Sequence, residues 1–196
     1  MLRSTPTENG PGPLRAAATR PDPLPLSPAQ RRLWFLDRVG ACAAAYNIPL
    51  ALRMSGAPDE AALRAALADL VHRHESLRTV FPDVDGEPRQ HVLAPARAVP
   101  RWEARRIAPG ELAEALREAA LRRFDLSAEP PLRTWLFDPG DGTRVLLIVL
   151  HHIAGDGGRC VRWRGTWWRR TGPVCGPGPG VGGTAGPVRR LHAVAG

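Results

Sequence analysis

An apolar run that ends in two histidines constrains this chain more than any other feature of its sequence. The stretch LLIVLHHIAGDGG covers residues 146–158 and places an apolar run directly before His151 and His152. A short apolar run bounded by turn residues is typical of a strand that is buried on both faces of a sheet. The chain therefore carries two imidazoles to the end of a predicted central strand.

The residues after the histidines predict a tight turn. Gly155 and Gly157 can adopt backbone conformations that other residues avoid, and Asp156 between them carries a short carboxylate that can brace the loop. Adjacent residues of a strand point to opposite faces, so only one of His151 and His152 can face a given cleft. Alone, the pattern is weak, because a histidine at a strand end is more often a hydrogen-bonded core residue.

Helical and strand patterns alternate before this motif. Ser27 and Pro28 predict the N-cap and first residue of a helix, residues 46–54 predict a strand, and Asp59 predicts the N-cap of a second helix. The apolar residues of that second helix recur at helical spacing and predict its buried face: Leu63, Ala66, Leu67, Leu70 and Val71.

Strand patterns dominate the next part of the chain. A hairpin is predicted at Asp85-Gly86 and a helix over about 109–123, with its inner face at Leu112, Leu116, Ala119 and Ala120. Strands are predicted at SLRTVF (76–81), RQHVL (89–93), around Trp102, PLRTWLF (131–137) and RVLLIVL (144–150). We therefore expect an α/β fold with a mixed sheet flanked by helices and the histidine strand at its centre.

The net charge of +8 comes from the end of the chain. Residues 158–196 hold seven Arg and no acidic residue, whereas residues 1–157 hold 20 Arg and 19 Asp or Glu. Because the main body is nearly neutral, its charge predicts neither a nucleic-acid nor a membrane partner. The three cysteines form no CxxC pair and no stretch approaches the ~20 apolar residues of a membrane span, so we expect a cytoplasmic protein without a metal site.

Five stretches together resemble the condensation domains of nonribosomal peptide synthetases, in the chloramphenicol acetyltransferase-like superfamily. HHxxxDG at 151–157 is similar to the active-site motif of that family. Four further stretches agree in order and spacing: LSPAQRRLWFL, AAYNIPLALRMSG, DEAALRAALADLVHRHESLRTVF and FDLSAEPPLRTWLF. The resemblance covers about residues 26–157 and implies the N-terminal lobe of a two-lobed fold. AAYNIP and HHIAGDG most resemble the subtype that joins two L-configured residues.

The resemblance implies a role for each motif residue. His152 matches the catalytic histidine, placed in a tunnel where an acceptor amine attacks a donor thioester and an amide bond forms. Imidazole suits this step because it titrates near neutral pH and can hydrogen-bond the attacking nitrogen. Asp156 is expected to pair with Arg78, whose guanidinium forms a bidentate fork. Gly157 leaves room beside the reacting carbonyl, and His151 faces away and supports the fold.

The resemblance also implies partners. Both substrates arrive as thioesters on the phosphopantetheine arms of peptidyl carrier proteins or domains, so no cofactor binds this chain directly. Adenylation domains in the same synthetase are the further expected partners. The open alternatives are an epimerization or acyltransferase relative, which shares HHxxxDG, and a catalytically inert remnant.

The two ends differ from the predicted lobe at 27–157. Residues 1–26 are rich in Pro and predict a flexible leader, and residues 158–196 show neither helical nor strand periodicity. A shifted frame of the tail permits a family-like amphipathic helix, so we interpret 158–196 as an irregular, out-of-frame tail of a truncated domain, expected to be inactive alone. The competing interpretation takes RWRGTWWRR as an Arg and Trp surface for bases or membranes.

Overall fold

The computed structural model describes residues 24–40, 43–108 and 110–155. The predicted tail, all three cysteines, Asp156 and Gly157 lie outside the described residues, as does the predicted leader up to residue 23. The last residues of that leader belong to the fold, which corrects the predicted boundary at Ser27. Leu24–Pro25 forms strand β1, paired with a later strand, and Leu26 is buried because its side chain joins the main apolar cluster.

The main sheet has four strands in the order β2-β8-β7-β6. Their bounds are Asn47–Ser55 for β2, Arg101–Arg106 for β6, Leu132–Asp138 for β7 and Thr143–His151 for β8. The β6 and β7 pair is parallel and the other two pairs are antiparallel. The sheet is therefore mixed, and the histidine strand β8 lies between two neighbours, as predicted.

A smaller group of strands forms around β5 (Glu87–Val92). Strands β1, β3 (Thr79–Val80) and β4 (Asp83–Val84) all pair with it in antiparallel fashion. Asp85 and Gly86 join β4 to β5 with φ angles of 55° and 81°. Positive φ at both central residues is the signature of the two-residue hairpin that the Asp-Gly pair predicted.

Three helices accompany the sheets: α1 (Pro28–Val39), α2 (Glu60–Arg73) and α3 (Leu112–Leu121). Ser27 and Asp59 are the N-caps of α1 and α2, as their sequences predicted, and Ser27 forms a capping box with Gln30. All five residues of the predicted apolar face of α2 are buried. Helix α3 is shorter than predicted at both ends. Leu116, Ala119 and Ala120 of its predicted inner face are buried, and Ala115 is buried as well.

One predicted strand is wrong over most of its length. SLRTVF was expected to be extended, but Glu75–Arg78 forms a 3₁₀ helix and only Thr79–Val80 is a strand. Leu77 is fully buried within this turn. A buried side chain on a short turn satisfies the same apolar pattern as a strand, which explains the difference. Within the described residues, no helix is long and apolar enough to cross a membrane.

Candidate functional site

The candidate site lies where β8 ends at the two histidines. Strand β8 ends at His151, and His152–Ala154 forms a 3₁₀ turn. The prediction that the two side chains point to opposite faces assumed that both histidines lie on the strand. In the structure the strand ends one residue earlier, at His151. His151 is the last residue of the strand and His152 is the first residue of the turn. Their environments are opposite: the His151 side chain is 0% exposed, whereas His152 is exposed.

His151 is held by its backbone and by its ring. Its amide donates to the carbonyl of Pro131 at 3.0 Å, and its Nδ1 accepts from the amide of Ile153 at 3.2 Å. Because Nδ1 accepts this bond, the proton of the neutral ring is on Nε2. Burial and, to a smaller extent, the neighbouring His152 lower the pKa of His151 to about 4. His151 is therefore neutral at physiological pH.

Aromatic side chains surround His151. The Phe124 ring forms a T-shaped pair with it, with the centroids 5.9 Å apart and the planes at 74°, and the Tyr46 ring is tilted against it at 6.3 Å. Nε2 of His151 is buried and has no hydrogen-bond partner among the described residues. These contacts place the ring of His151 within the packed interior, and its supporting role stays a prediction.

The turn that carries His152 is anchored on both sides by apolar contacts. Ile153 belongs to the cluster that packs against Leu33 and Trp34 of α1, and Ala154 belongs to the cluster that contains Leu77. The amide of Gly155 donates to the carbonyl of His152 at 3.2 Å and closes the turn. The imidazole of His152 is thus exposed on a backbone whose next two residues are buried.

Arg78 directly follows Leu77, which belongs to the same apolar cluster as Ala154 of the His152 turn. Its Nη1 donates to the carbonyl of Leu93 at 2.5 Å, and its Nη2 donates to Glu75 at 3.4 Å. Nε of Arg78 is buried without a hydrogen-bond partner in the described part of the chain. Since Asp156 lies outside the described residues, its predicted pairing with Arg78 stays a prediction.

Two further side chains form hydrogen bonds near the site, although the sequence patterns assigned them no role. Arg133 of β7 is buried and donates to Glu129 and to the carbonyls of Arg122 and Arg123. Asn47 of β2, opposite His151 in the register, donates to the carbonyls of Ala120 and Arg122. The available signal was an arginine inside the apolar run PLRTWLF, since a buried arginine requires partners.

No group of three His, Cys, Asp or Glu side chains that could hold a metal occurs in the described ranges. The chemistry that this arrangement offers is that of an exposed imidazole beside a buried, neutral one. An exposed imidazole can form hydrogen bonds with a bound substrate.

Known proteins share both the sequence and the fold of this region. The family model for condensation domains matches residues 21–161. A dimodular nonribosomal peptide synthase of Bacillus subtilis is 51% identical over 140 residues, and an isonitrile lipopeptide synthase of Mycobacterium tuberculosis is 53% identical over 149 residues. These alignments cover 71% and 72% of this chain, respectively, but 6% of the length of each relative.

A solved structure gives the same result for the fold. The X-domain from teicoplanin biosynthesis superimposes with a TM-score of 0.73 at 33% identity. The match covers 82% of this chain and 34% of the X-domain chain. The matched region therefore corresponds to about a third of that structure.

Proposed function

The chain belongs to the condensation domain family of nonribosomal peptide synthetases, and from this premise we propose that it supplies the catalytic histidine for amide bond formation. In the proposed reaction, the amine of an acceptor aminoacyl thioester attacks the carbonyl of a donor acyl or peptidyl thioester. The amide C–N bond forms and the donor C–S bond breaks. The proton lost by the attacking nitrogen passes by way of His152 to the departing thiolate, so the donor carrier leaves with a free thiol on its phosphopantetheine arm.

One observation carries the proposal: His152 is exposed while His151, one residue earlier, is fully buried. A group that removes or positions a proton must reach the substrate, and only the second imidazole meets this requirement. The buried ring is neutral because its pKa is lowered to about 4. His151 supports the turn, and His152 is the proposed catalytic residue.

The rest of the motif is assigned by the family pattern. We propose that Asp156 pairs with Arg78 and fixes the loop after His152, and that Gly157 leaves space beside the reacting carbonyl. The buried, unpartnered Nε of Arg78 among the described residues supports this pairing. It is also supported by the cluster that Leu77 and Ala154 share, because these residues lie next to Arg78 and two residues before Asp156 in the chain.

The substrates would be delivered by carriers. We propose that peptidyl carrier proteins or domains present both thioesters on phosphopantetheine arms and that adenylation domains load them. No cofactor bound directly to this chain is needed for the step, because the thioester itself is the activated group.

The decisive experiment uses the 51% identical dimodular relative from Bacillus subtilis. Residues 24–157 replace the matching segment of its condensation domain, and dipeptide formation is measured with loaded donor and acceptor carriers. We expect the chimera to form dipeptide and His152→Ala to lower the rate ~100-fold or more, which is typical for loss of a general base. His72→Ala, at an exposed histidine of α2, is the matched control and should keep the rate. An active chimera whose rate survives His152→Ala would overturn the proposal.

A further inference from the structure

We propose that Arg133 is a positioning residue for His152. It fixes the segment 122–129, which presses Phe124 against His151 and so sets the turn from which His152 emerges. The inference rests on the proposed function of His152, but its structural part can be tested without any activity.

Arg133 is unusual because a guanidinium lies inside the most buried part of the sheet. Its side chain is 5% exposed, and β7 is otherwise buried up to its last residue. An isolated charge at such a position costs several kcal/mol unless it is paired and hydrogen-bonded. The interactions of Arg133 must therefore be extensive for the strand to hold it.

Four of the five N–H groups of Arg133 are donated within the described structure. Nε donates to Glu129 Oε2 at 2.9 Å, and Nη2 donates to Glu129 Oε1, which completes a bidentate fork. Nη1 donates to the carbonyl of Arg122 at 3.1 Å, and Nη2 also donates to the carbonyl of Arg123 at 2.8 Å. One side chain therefore binds both ends of the segment 122–129.

Glu129 extends the same network along the segment. Its Oε1 also accepts from the amide of Asp125 at 2.8 Å. Asp125 in turn accepts from the amide and hydroxyl of Ser127. The loop between α3 and β7 is thus closed by charged hydrogen bonds that meet at Arg133.

The segment is tied to both neighbours of β8. Arg133 holds it from β7, and Asn47 holds it from β2 through bonds of 2.8 Å to Ala120 and 3.1 Å to Arg122. The carbonyl of Arg122 accepts from both side chains. Because Asn47 is also the register partner of His151, this junction lies at the end of β8.

Phe124 transmits the constraint to the histidines. The guanidinium carbon of Arg133 lies 4.3 Å from the centre of the Phe124 ring, and the same ring contacts His151 with the ring centroids 5.9 Å apart. Nδ1 of His151 in turn accepts a hydrogen bond from the amide of Ile153 within the turn. The sequence of contacts from Arg133 to the His152 turn is therefore continuous: Arg133, Phe124, His151 and Ile153.

A direct binding role for Arg133 is disfavoured by the same contacts. A cleft of about 620 Å³ is lined by Arg133 together with Trp34, Asp37, Arg123 and Ser127. With four donors engaged and the side chain 5% exposed, Arg133 has little capacity left for a ligand in that cleft. Its contacts point to positioning rather than to recognition.

The structural test compares Arg133→Lys with Arg144→Lys in the full 196-residue chain. Lysine keeps the charge but loses the fork, and Arg144 pairs with Asp138 at the other end of the same sheet. Hydrogen exchange is followed at the amide of Ile153, with the amide of Leu147 in β8 as the internal reference. Nitrogen-15 spectra of the imidazoles report whether Nδ1 of His151 still accepts a hydrogen bond.

We expect Arg133→Lys to lower the protection of Ile153 at least tenfold more than that of Leu147 and to shift the His151 Nδ1 signal. Arg144→Lys should change neither. Equal loss of protection at both amides, or an unchanged Ile153, would show that Arg133 merely stabilises the lobe and would overturn the inference.

The catalytic consequence is measured in the chimera. We expect Arg133→Lys to lower kcat about tenfold to a hundredfold with little change in KM, because misplacing a catalytic group affects the chemical step. A change confined to KM would contradict positioning. If His152→Ala leaves the rate of the chimera intact, the proposed function fails, while the exchange and nitrogen-15 results still decide the role of Arg133 in the turn.

Discussion

The His151 imidazole and the Phe124 ring form a T-shaped pair, with the centroids 5.9 Å apart and the planes at 74°. This geometry is favourable for aromatic pairs, and Phe124 is itself buried. The next residue along the chain, His152, is exposed. Two adjacent histidines therefore occupy opposite environments, and their effects on stability and on catalysis can be separated.

Alanine substitutions should separate the two histidines by stability. His151→Ala removes a fully buried ring and its bond to Ile153, so we expect the free energy of unfolding to fall by about 2–4 kcal/mol. His152→Ala removes an exposed side chain and should change it by less than about 0.5 kcal/mol. Urea unfolding of the full chain measures both values. Equal losses for the two variants would contradict the assignment of the buried ring.

The lowered pKa of His151 predicts a dependence of stability on pH. The unfolded histidine titrates near 6.5 and the folded one near 4, so between these values the unfolded state binds more protons. Stability should therefore decrease as the pH falls from about 6.5 to about 4 and be independent of this group above that range. The shift corresponds to roughly 3 kcal/mol.

His151→Gln provides the control for this titration, because glutamine does not ionise. Asp37 also titrates in the acidic range, since burial raises its pKa against the opposing effect of Arg123, but it is present in both proteins. The difference between the two unfolding curves isolates His151. A parallel pH dependence of the two proteins would be incompatible with a buried neutral imidazole.

The proposed pair of Arg78 and Asp156 predicts energetic coupling. We expect Arg78→Ala and Asp156→Asn to be non-additive by about 1–3 kcal/mol in a double-mutant cycle, because each removes the same buried contact. Asp141, in the turn at the other end of β8, supplies the control acid. Arg78→Ala combined with Asp141→Asn should be additive within about 0.5 kcal/mol, and additivity of the first pair would exclude the contact.

Much of the architecture was predictable because local signals and burial agree. The caps Ser27 and Asp59, the Asp85-Gly86 hairpin and the buried face of α2 depend on short-range chemistry that the sequence displays directly. The long apolar run likewise predicted the central position of β8. These features need no knowledge of distant contacts.

The support of the candidate site was not predictable in the same way. Arg133 donates to the carbonyl of Arg122, and Asn47 donates to the carbonyl of Ala120, which lies far from it in sequence. Every residue has a carbonyl group, so the sequence gives no signal for which one will accept a bond. The 3₁₀ helix at Glu75–Arg78 was missed because a single buried leucine fits a strand equally well.

Asn47 gives the sharpest test of how the site is supported. Its Nδ2 donates to two carbonyls, those of Ala120 and Arg122, at the end of α3. Asn47→Ala leaves both acceptors without this donor, and we expect a loss of about 1–3 kcal/mol in the free energy of unfolding. Asn47→Asp should cost more, although it keeps the shape, because a carboxylate cannot donate and would face two carbonyl oxygens.

The same amide-to-acid change at Gln90 is the matched control, since its Nε2 donates at 2.7 Å to the carbonyl of Pro25 at a more exposed position. Water can replace that donor, so Gln90→Glu should cost about 1 kcal/mol or less. If Asn47→Asp costs no more than Gln90→Glu in urea unfolding, the carbonyls of α3 do not depend on Asn47. The tie between β2 and the segment that holds Phe124 against His151 would then be absent.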